Sequence, residues 1–304
     1  MSYDHFSFGG VRVAKRTALV GTCMAVAITA IGWVALMRGA YPLGPGDVLR
    51  ALSDIGLGDV DPLGAYFVGQ QRLPRTLCAI AVGALLGIAG AIFQRLSGNL
   101  LGSPDIIGLS TGAASGAVIA IIVFSGSPAV VALGAIAGGL VVACFIYRLS
   151  LQGGKSNTTR LVLVGIGTAA ILQALNTLLL VGASLDAAQT ASQWLAGSFN
   201  ATTWTDVAWA CGVLILVTPI ALLLGRPLAV LMSGDDLAAG LGVNVERRRA
   251  DLLIVGVIAT CIAVAIAGPI SFVALAAPQL PVGVVTGVLG GAYLVWLLSG
   301  ARRF

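Results

Sequence analysis

Charge is scarce in this chain: Asp, Glu, Lys and Arg together supply 10% of its 304 residues, against 58% that are apolar. That balance argues against a soluble globular protein, whose core needs far less apolar sequence. Histidine is almost absent, His5 being the one instance, which argues against a metal centre built from His and Cys. The five cysteines, Cys23, Cys78, Cys144, Cys211 and Cys261, fall in apolar stretches and form no Cys-x-x-Cys pair. Small-residue packing is the role left to them. No Asp, Glu, Lys, Arg or His stands near the centre of an apolar stretch, where proton or sodium coupling needs an ionisable group. An ion-driven transporter is left only the route of backbone carbonyls at broken helices. A nucleotide-binding loop is missing as well. Gly153-Gly154-Lys155-Ser156 ends like one, but the spacing needs glycine where Leu149 stands, and the segment lies between two apolar stretches. Any ATP hydrolysis must come from another chain.

What is present is long, charge-free sequence. Thr17–Met37, Thr76–Gln94, Ile106–Phe124, Pro128–Tyr147, Leu161–Gly182, Val207–Gly225, Leu252–Gly268 and Val282–Gly300 read as eight membrane spans. The first is too long for a secretory signal, lacks a small-residue cleavage site and is followed by further spans. The expected fold is therefore all-α, a polytopic membrane helical bundle. A short N-terminal segment, residues 1–16, precedes one transmembrane domain over 17–304.

Orientation follows from the basic residues, which cytoplasmic loops retain. Arg12, Lys15 and Arg16 precede the first span, Arg95 follows the second, and Arg148, Lys155 and Arg160 flank the loop after the fourth. Arg226 and Arg247 to Arg249 follow the sixth, and Arg302 and Arg303 close the sequence. All fall on one side, so both termini are expected in the cytoplasm. The opposite side receives 38–71, with Asp47, Asp54, Asp59 and Asp61, and 183–206, which has no basic residue. Arg72 and Arg75 stand out there as a basic pair at a helix mouth, where arginine keeps its charge in water.

Three further features carry information. Gly108, Gly112 and Gly116 recur at four-residue spacing, which lets helix backbones approach closely in lipid. Between Arg226 and Arg249 lies the largest cytoplasmic connection, in which Asp235 or Asp236 can cap a short helix carrying Leu237, Ala238 and Leu241, stopped by Gly242. Such a helix suits docking into a groove of a soluble partner, and a solvated loop with membrane-anchoring arginines is the alternative. Finally, 252–301 is charge-free and broken only by Gly268-Pro269, Pro278-Gln279 and Pro281. Two spans joined by a buried re-entrant link would fit, and so would the deletion of a span.

Arg72-Leu-Pro-Arg75, Gly83, Gly90, Gln94, Asn99, Pro104, Gly108, Gly112-Ala113, the stretch from Gly234-Asp235-Asp236 through Val243 to Glu246-Arg247, and Gly268-Pro-Ile-Ser-Phe-Val273 resemble the permease subunits of ABC importers for iron-siderophores, haem and cobalamin, the FecCD/BtuC type. Ser103-Pro-Asp-Ile-Ile-Gly108 and Leu280-Pro-Val-Gly283 are most similar to the second permease of the ferric-enterobactin type. The resemblance implies a type II importer permease, about ten spans in the family against the eight counted here. It implies pairing with a sister permease, an extracytoplasmic siderophore-binding protein and two cytoplasmic ATPase subunits. ATP and Mg would be bound by those subunits, and no cofactor by this chain.

By the same resemblance Arg72 and Arg75 dock the binding protein. Gly234, Asp235, Asp236, Leu237, Ala238, Leu241, Gly242 and Val243 form the coupling helix on the ATPase. Asn99-Leu100-Leu101 matches the inner gate, with Leu100 where relatives have proline. The helix carrying Thr168, Gln173, Asn176 and Thr177 lines the translocation pathway, and from spacing alone Gln173, Asn176 and Thr177 can share a face. They can equally hydrogen-bond between helices. Trp194 and Trp204 read as interface anchors. Relatives also carry roughly forty residues between Pro278 and Pro281 that have no counterpart here, more than one crossing's worth. The implied cargo is ferric siderophore of the catecholate class, with cobalamin or haem as the alternative, moved across the bacterial inner membrane.

Overall fold

The computed structural model describes residues 5–8, 11–39, 41–53, 62–98, 108–152, 155–156, 158–269, 276–277 and 280–281. In chain order these form the hairpin β1 (His5–Phe8) and β2 (Val11–Ala14), then α1 (Lys15–Met37), α2 (Pro45–Ser53), α3 (Pro62–Tyr66), a π-helical turn (Phe67–Arg72) and α4 (Leu73–Ser97). There follow α5 (Leu109–Ile122), α6 (Pro128–Ser150), the two-residue strands β3 (Leu151–Gln152) and β4 (Lys155–Ser156), α7 (Thr158–Gly182), α8 (Leu185–Leu195) and α9 (Trp204–Leu231). Last come α10 (Asp235–Gly240), α11 (Val245–Ala267), β5 (Ala276–Ala277) and β6 (Leu280–Pro281). The strand pairs are antiparallel and local. The chain divides into two compact units: residues 1–80 with 202–207, and residues 81–201 with 208–304.

Among the described residues six helices are long and apolar enough to cross a membrane: Ala18–Met37, Leu63–Ser97, Pro128–Ser150, Thr159–Gly182, Trp204–Leu231 and Val245–Ala267. Threonine hydroxyls in these helices turn inward to the helix backbone. Thr22 Oγ1 donates to Ala18 O at 2.9 Å and the buried Thr260 Oγ1 to Gly256 O at 2.8 Å, which leaves neither hydroxyl unpaired in an apolar setting. The stretch expected as a span over 106–124 is shorter: α5 has 14 residues, about 21 Å at the helical rise, against about 30 Å of hydrocarbon. Gly108 at φ +82° starts it, and a turn with Ser125 at φ 47° follows it. The expected span Val282–Gly300 lies outside the described residues, as do residues 270–275 and 278–279 of the link before it.

In the second unit α5 is the centre, packed against α6, α7, α8 and α11. Its glycines explain how. A Cβ on Gly112 would stand 2.6 Å from Val142 Cβ, and one on Gly116 would overlap the Gly134 carbonyl and lie 2.9 Å from Gly138 Cα. Backbone thus meets backbone across α5 and α6, the close approach that drives helix association in lipid. Gly108 contributes differently from its expected place in the ladder. It precedes the helix in a left-handed conformation, and a Cβ there would meet Gly165 O of α7 at 3.0 Å. Around this seam Ala113, Ala117, Val118, Ala135, Ala191 and Val264 form a buried cluster.

The first unit has its own small core of Leu36, Val48, Ala51 and Val68. Trp204 Nε1 donates to Gly69 O at 3.0 Å, so this indole is tethered to the π-helical turn.

Gly116→Ala is expected to lower the thermal midpoint of the purified protein by about 5 °C through overpacking. Gly87→Ala, where an added Cβ meets nothing within 4 Å, leaves the midpoint unchanged in the same melting measurement.

Candidate docking and coupling sites

The structure separates the two arginines that the sequence presents as a pair. Helix α1 ends at Met37, so the carbonyls of its last turn lack helical partners. Arg72 supplies one: Nη1 donates to Leu36 O at 2.8 Å, and Nη2 donates to Tyr41 O. The residue is 7% exposed, and a Cβ on Gly39 would lie 3.0 Å from its Cζ. The expectation that both charges reach water is therefore corrected. Arg72 lies buried under the turn after α1, held by backbone oxygens, whereas Arg75 is exposed. Charge-assisted bonds of this kind are the strong ones, and they fix the mouth of α4 to the end of α1. A cavity of about 230 Å³ opens beside it, with Arg38, Arg72 and Arg75 on its wall.

The connection over 226–249 is mostly helix. Helix α9 continues through Pro227 to Leu231, because neighbouring structure tolerates proline in apolar helices. Helix α11 starts at Val245, capped by Asn244 Oδ1, which accepts from Arg247 N at 3.1 Å. Between them α10 carries Leu237 and the residue after its end is Leu241, 56% and 65% exposed, with Ala238 buried beneath. Neither aspartate caps this helix. Gly234 occupies the cap position, at φ +108° and with no side-chain bond. Asp235 instead accepts from Arg249 Nη2 at 2.9 and 3.2 Å. Asp236 is exposed, Gly242 ends the segment at φ +80°, and Val243 N donates to Ala238 O at 3.0 Å.

The polar residues of α7 divide. Thr168 Oγ1 donates to Val164 O at 2.8 Å and Thr177 Oγ1 to Gln173 O at 3.0 Å, both within the helix. Gln173 and Thr177 are exposed, while Asn176 is 7% exposed and its Oδ1 has no hydrogen-bond partner among the described residues. The shared face holds for Gln173 and Thr177, and Asn176 turns into the bundle. Asn99, Leu100 and Leu101 lie outside the described residues. Sequence reasoning missed Arg249, although the Arg247-Arg-Arg249 run and Asp235 were both in view. Nothing in linear spacing signals a pair 14 residues apart across a turn.

A family model described as the FecCD transport family matches residues 26–280. This chain belongs to the FecCD transport family. Membership makes it a transport protein, and its apolar helices make it a multi-pass one. It is 38% identical to the ferric enterobactin transport system permease protein FepG of Escherichia coli (strain K12), covering 96% of this chain and 99% of the relative. A cobalamin import system permease protein BtuC of Halobacterium salinarum is 36% identical, covering 77% of this chain and 66% of that relative. A solved inward-facing structure of a chain assigned to the metal-chelate type of ABC transporter superposes with a TM-score of 0.76 at 23% identity, covering 93% and 99% of the two chains. That likeness shows the fold of this FecCD member. The alignment with FepG runs over 332 positions, of which 96% of 304 residues fills about 292. About forty internal positions of the relative are left without a counterpart, more than a membrane crossing of about 20 residues.

Arg72→Met is expected to destabilise the protein by about 2 kcal/mol, because the buried Leu36 carbonyl and the part-buried Tyr41 carbonyl lose a charged donor. Arg75→Gln stays within about 0.5 kcal/mol of the parent. Denaturation of the detergent-solubilised protein, followed by tryptophan fluorescence, distinguishes the two.

Proposed function

We propose that this chain is one of two permease subunits of an ATP-driven importer. It would carry ferric siderophore of the catecholate class from an extracytoplasmic binding protein to the cytoplasm of a bacterium. The observation that carries the reading is the 38% identity to the ferric enterobactin permease across nearly the whole of both chains. The chain catalyses no covalent step in this account. ATP and Mg belong to two separate ATPase subunits, and the second permease is a sister chain.

Three local features support the parts assigned to them. Exposed Arg75 offers the charge that meets acidic groups on the binding protein, with buried Arg72 holding the helix mouth that presents it. Complementary charge of this kind sets encounter rate and orientation. The exposed pair Leu237 and Leu241, over buried Ala238, offers an apolar knob for a groove in the ATPase. Exposed Gln173 and Thr177 give the pathway helix polar but uncharged character, which lets a bulky chelate pass without trapping it. A cobalamin cargo is the second reading, favoured by the 36% identity to the cobalamin permease.

In proteoliposomes holding this chain, its sister permease and ATPase, import of radiolabelled ferric enterobactin is expected to require ATP and the binding protein and to stop with vanadate. Cobalamin imported in place of the iron chelate would establish the second reading, and import driven by an ion gradient alone would overturn both. Arg75→Glu is expected to slow binding-protein association about tenfold at low salt, with the difference shrinking as salt rises. Leu237→Asp combined with Leu241→Asp is expected to reduce ATPase co-purification about tenfold or more, since buried apolar anchors carry most of an interface's energy.

A further inference from the structure

We propose that Arg249 is the positioning residue that makes α10 move with α11, so that force applied to the short helix enters the bundle. The proposal rests on α10 being the ATPase-docking helix. With six residues, α10 cannot hold its own shape. Both of its flanks are glycine turns, Gly234 at φ +108° and Gly242 at φ +80°, and an added Cβ at either would meet nothing within 4 Å. Those turns could absorb a push on Leu237 and Leu241 without passing it on.

One side chain closes that slack. Arg249 reaches back from the first turns of α11 and grips both carboxylate oxygens of Asp235, the first residue of α10, at 2.9 and 3.2 Å. Its side chain is 11% exposed, and Glu246 Oε1 lies 3.7 Å from its Nη1. Both bonds come from the one nitrogen Nη2, a charge-assisted contact that holds the first residue of α10 against α11. Beyond Arg249, α11 is the most buried of the six long helices. At its far end Ala267 O accepts from Ser198 N at 2.8 Å, in the turn after α8. A displacement of α10 is thereby delivered along a stiff, packed helix to the α8 end of the unit.

Two measurements on Asp235→Asn, Arg249→Gln and their double test this. In the purified permease, amide hydrogen exchange over 232–244 is expected to accelerate about tenfold in each single variant, with the double no faster than Arg249→Gln, because the two residues act through one another. In the full importer, chelate imported per ATP hydrolysed is expected to fall about fivefold while the ATPase still co-purifies, since Leu237 and Leu241 are intact. Asp251→Asn, which removes the same charge from the exposed Arg248 pair, leaves both readouts at parental values. Unchanged exchange in Asp235→Asn overturns the clamp, and that exposed site decides the matter even if Arg249→Gln fails to fold. Accelerated exchange with unchanged import per ATP overturns the transmission role. A parental importer that shows no ATP-dependent import overturns the importer reading instead, and the exchange result still judges the clamp.

Discussion

Hydrocarbon offers no partner to a peptide group or a charge, and this one constraint orders the rest of the structure. It explains why the long helices are continuous, and why Thr168, Thr177, Thr218 and Thr260 bond to carbonyls of their own helix. It also explains why charged side chains gather at helix ends. Because lipid is as apolar as leucine, the bundle cannot be held by exclusion of apolar surface from water. The backbone contact of α5 with α6, made possible by Gly112, Gly116, Gly134 and Gly138, takes that role.

Two arginines with little exposed surface illustrate how a charge is used to join segments. Arg72 satisfies the Leu36 carbonyl at the end of α1 and the Tyr41 carbonyl in the turn after it, and Arg249 pairs with Asp235. Each ties one helix end to another segment of its own unit. Under the proposed function, the residues that would meet other proteins lie beside these ties: Arg75 three positions after Arg72, and Leu237 and Leu241 in the segment that Asp235 begins. The transport chemistry proposed for this FecCD member is a matter of presenting such residues on rigid supports.

Most spans were legible in the sequence because a soluble fold has little use for a charge-free run long enough to cross lipid. Their ends were less so. Charge counting stops a span at Gly225 and starts another at Leu252, yet the helices run on through Pro227 and begin at Val245, since helices project beyond the apolar window. Ile106–Phe124 reads as a span by composition, and only the left-handed Gly108 and the turn at Ser125 reveal a shorter buried helix. The glycine spacing pointed to close packing but not to its partner. At the candidate sites, residue type was legible and burial was not. Arg72 and Arg75 look alike in a string, and only the carbonyls of a segment more than thirty residues earlier distinguish them. Asp235 sits where a cap is expected, and its partner lies on the next helix.

In the proposed importer one set of connections faces the binding protein and the other faces the ATPase. Single cysteines at Ser53 on α2 and Ala239 on α10, both exposed, in a background with Cys23, Cys78, Cys144, Cys211 and Cys261 replaced, allow a direct test with a membrane-impermeant maleimide on intact spheroplasts. The account predicts labelling at position 53 from outside, and at position 239 only after the membrane is opened. Labelling of both positions from the same side would contradict it.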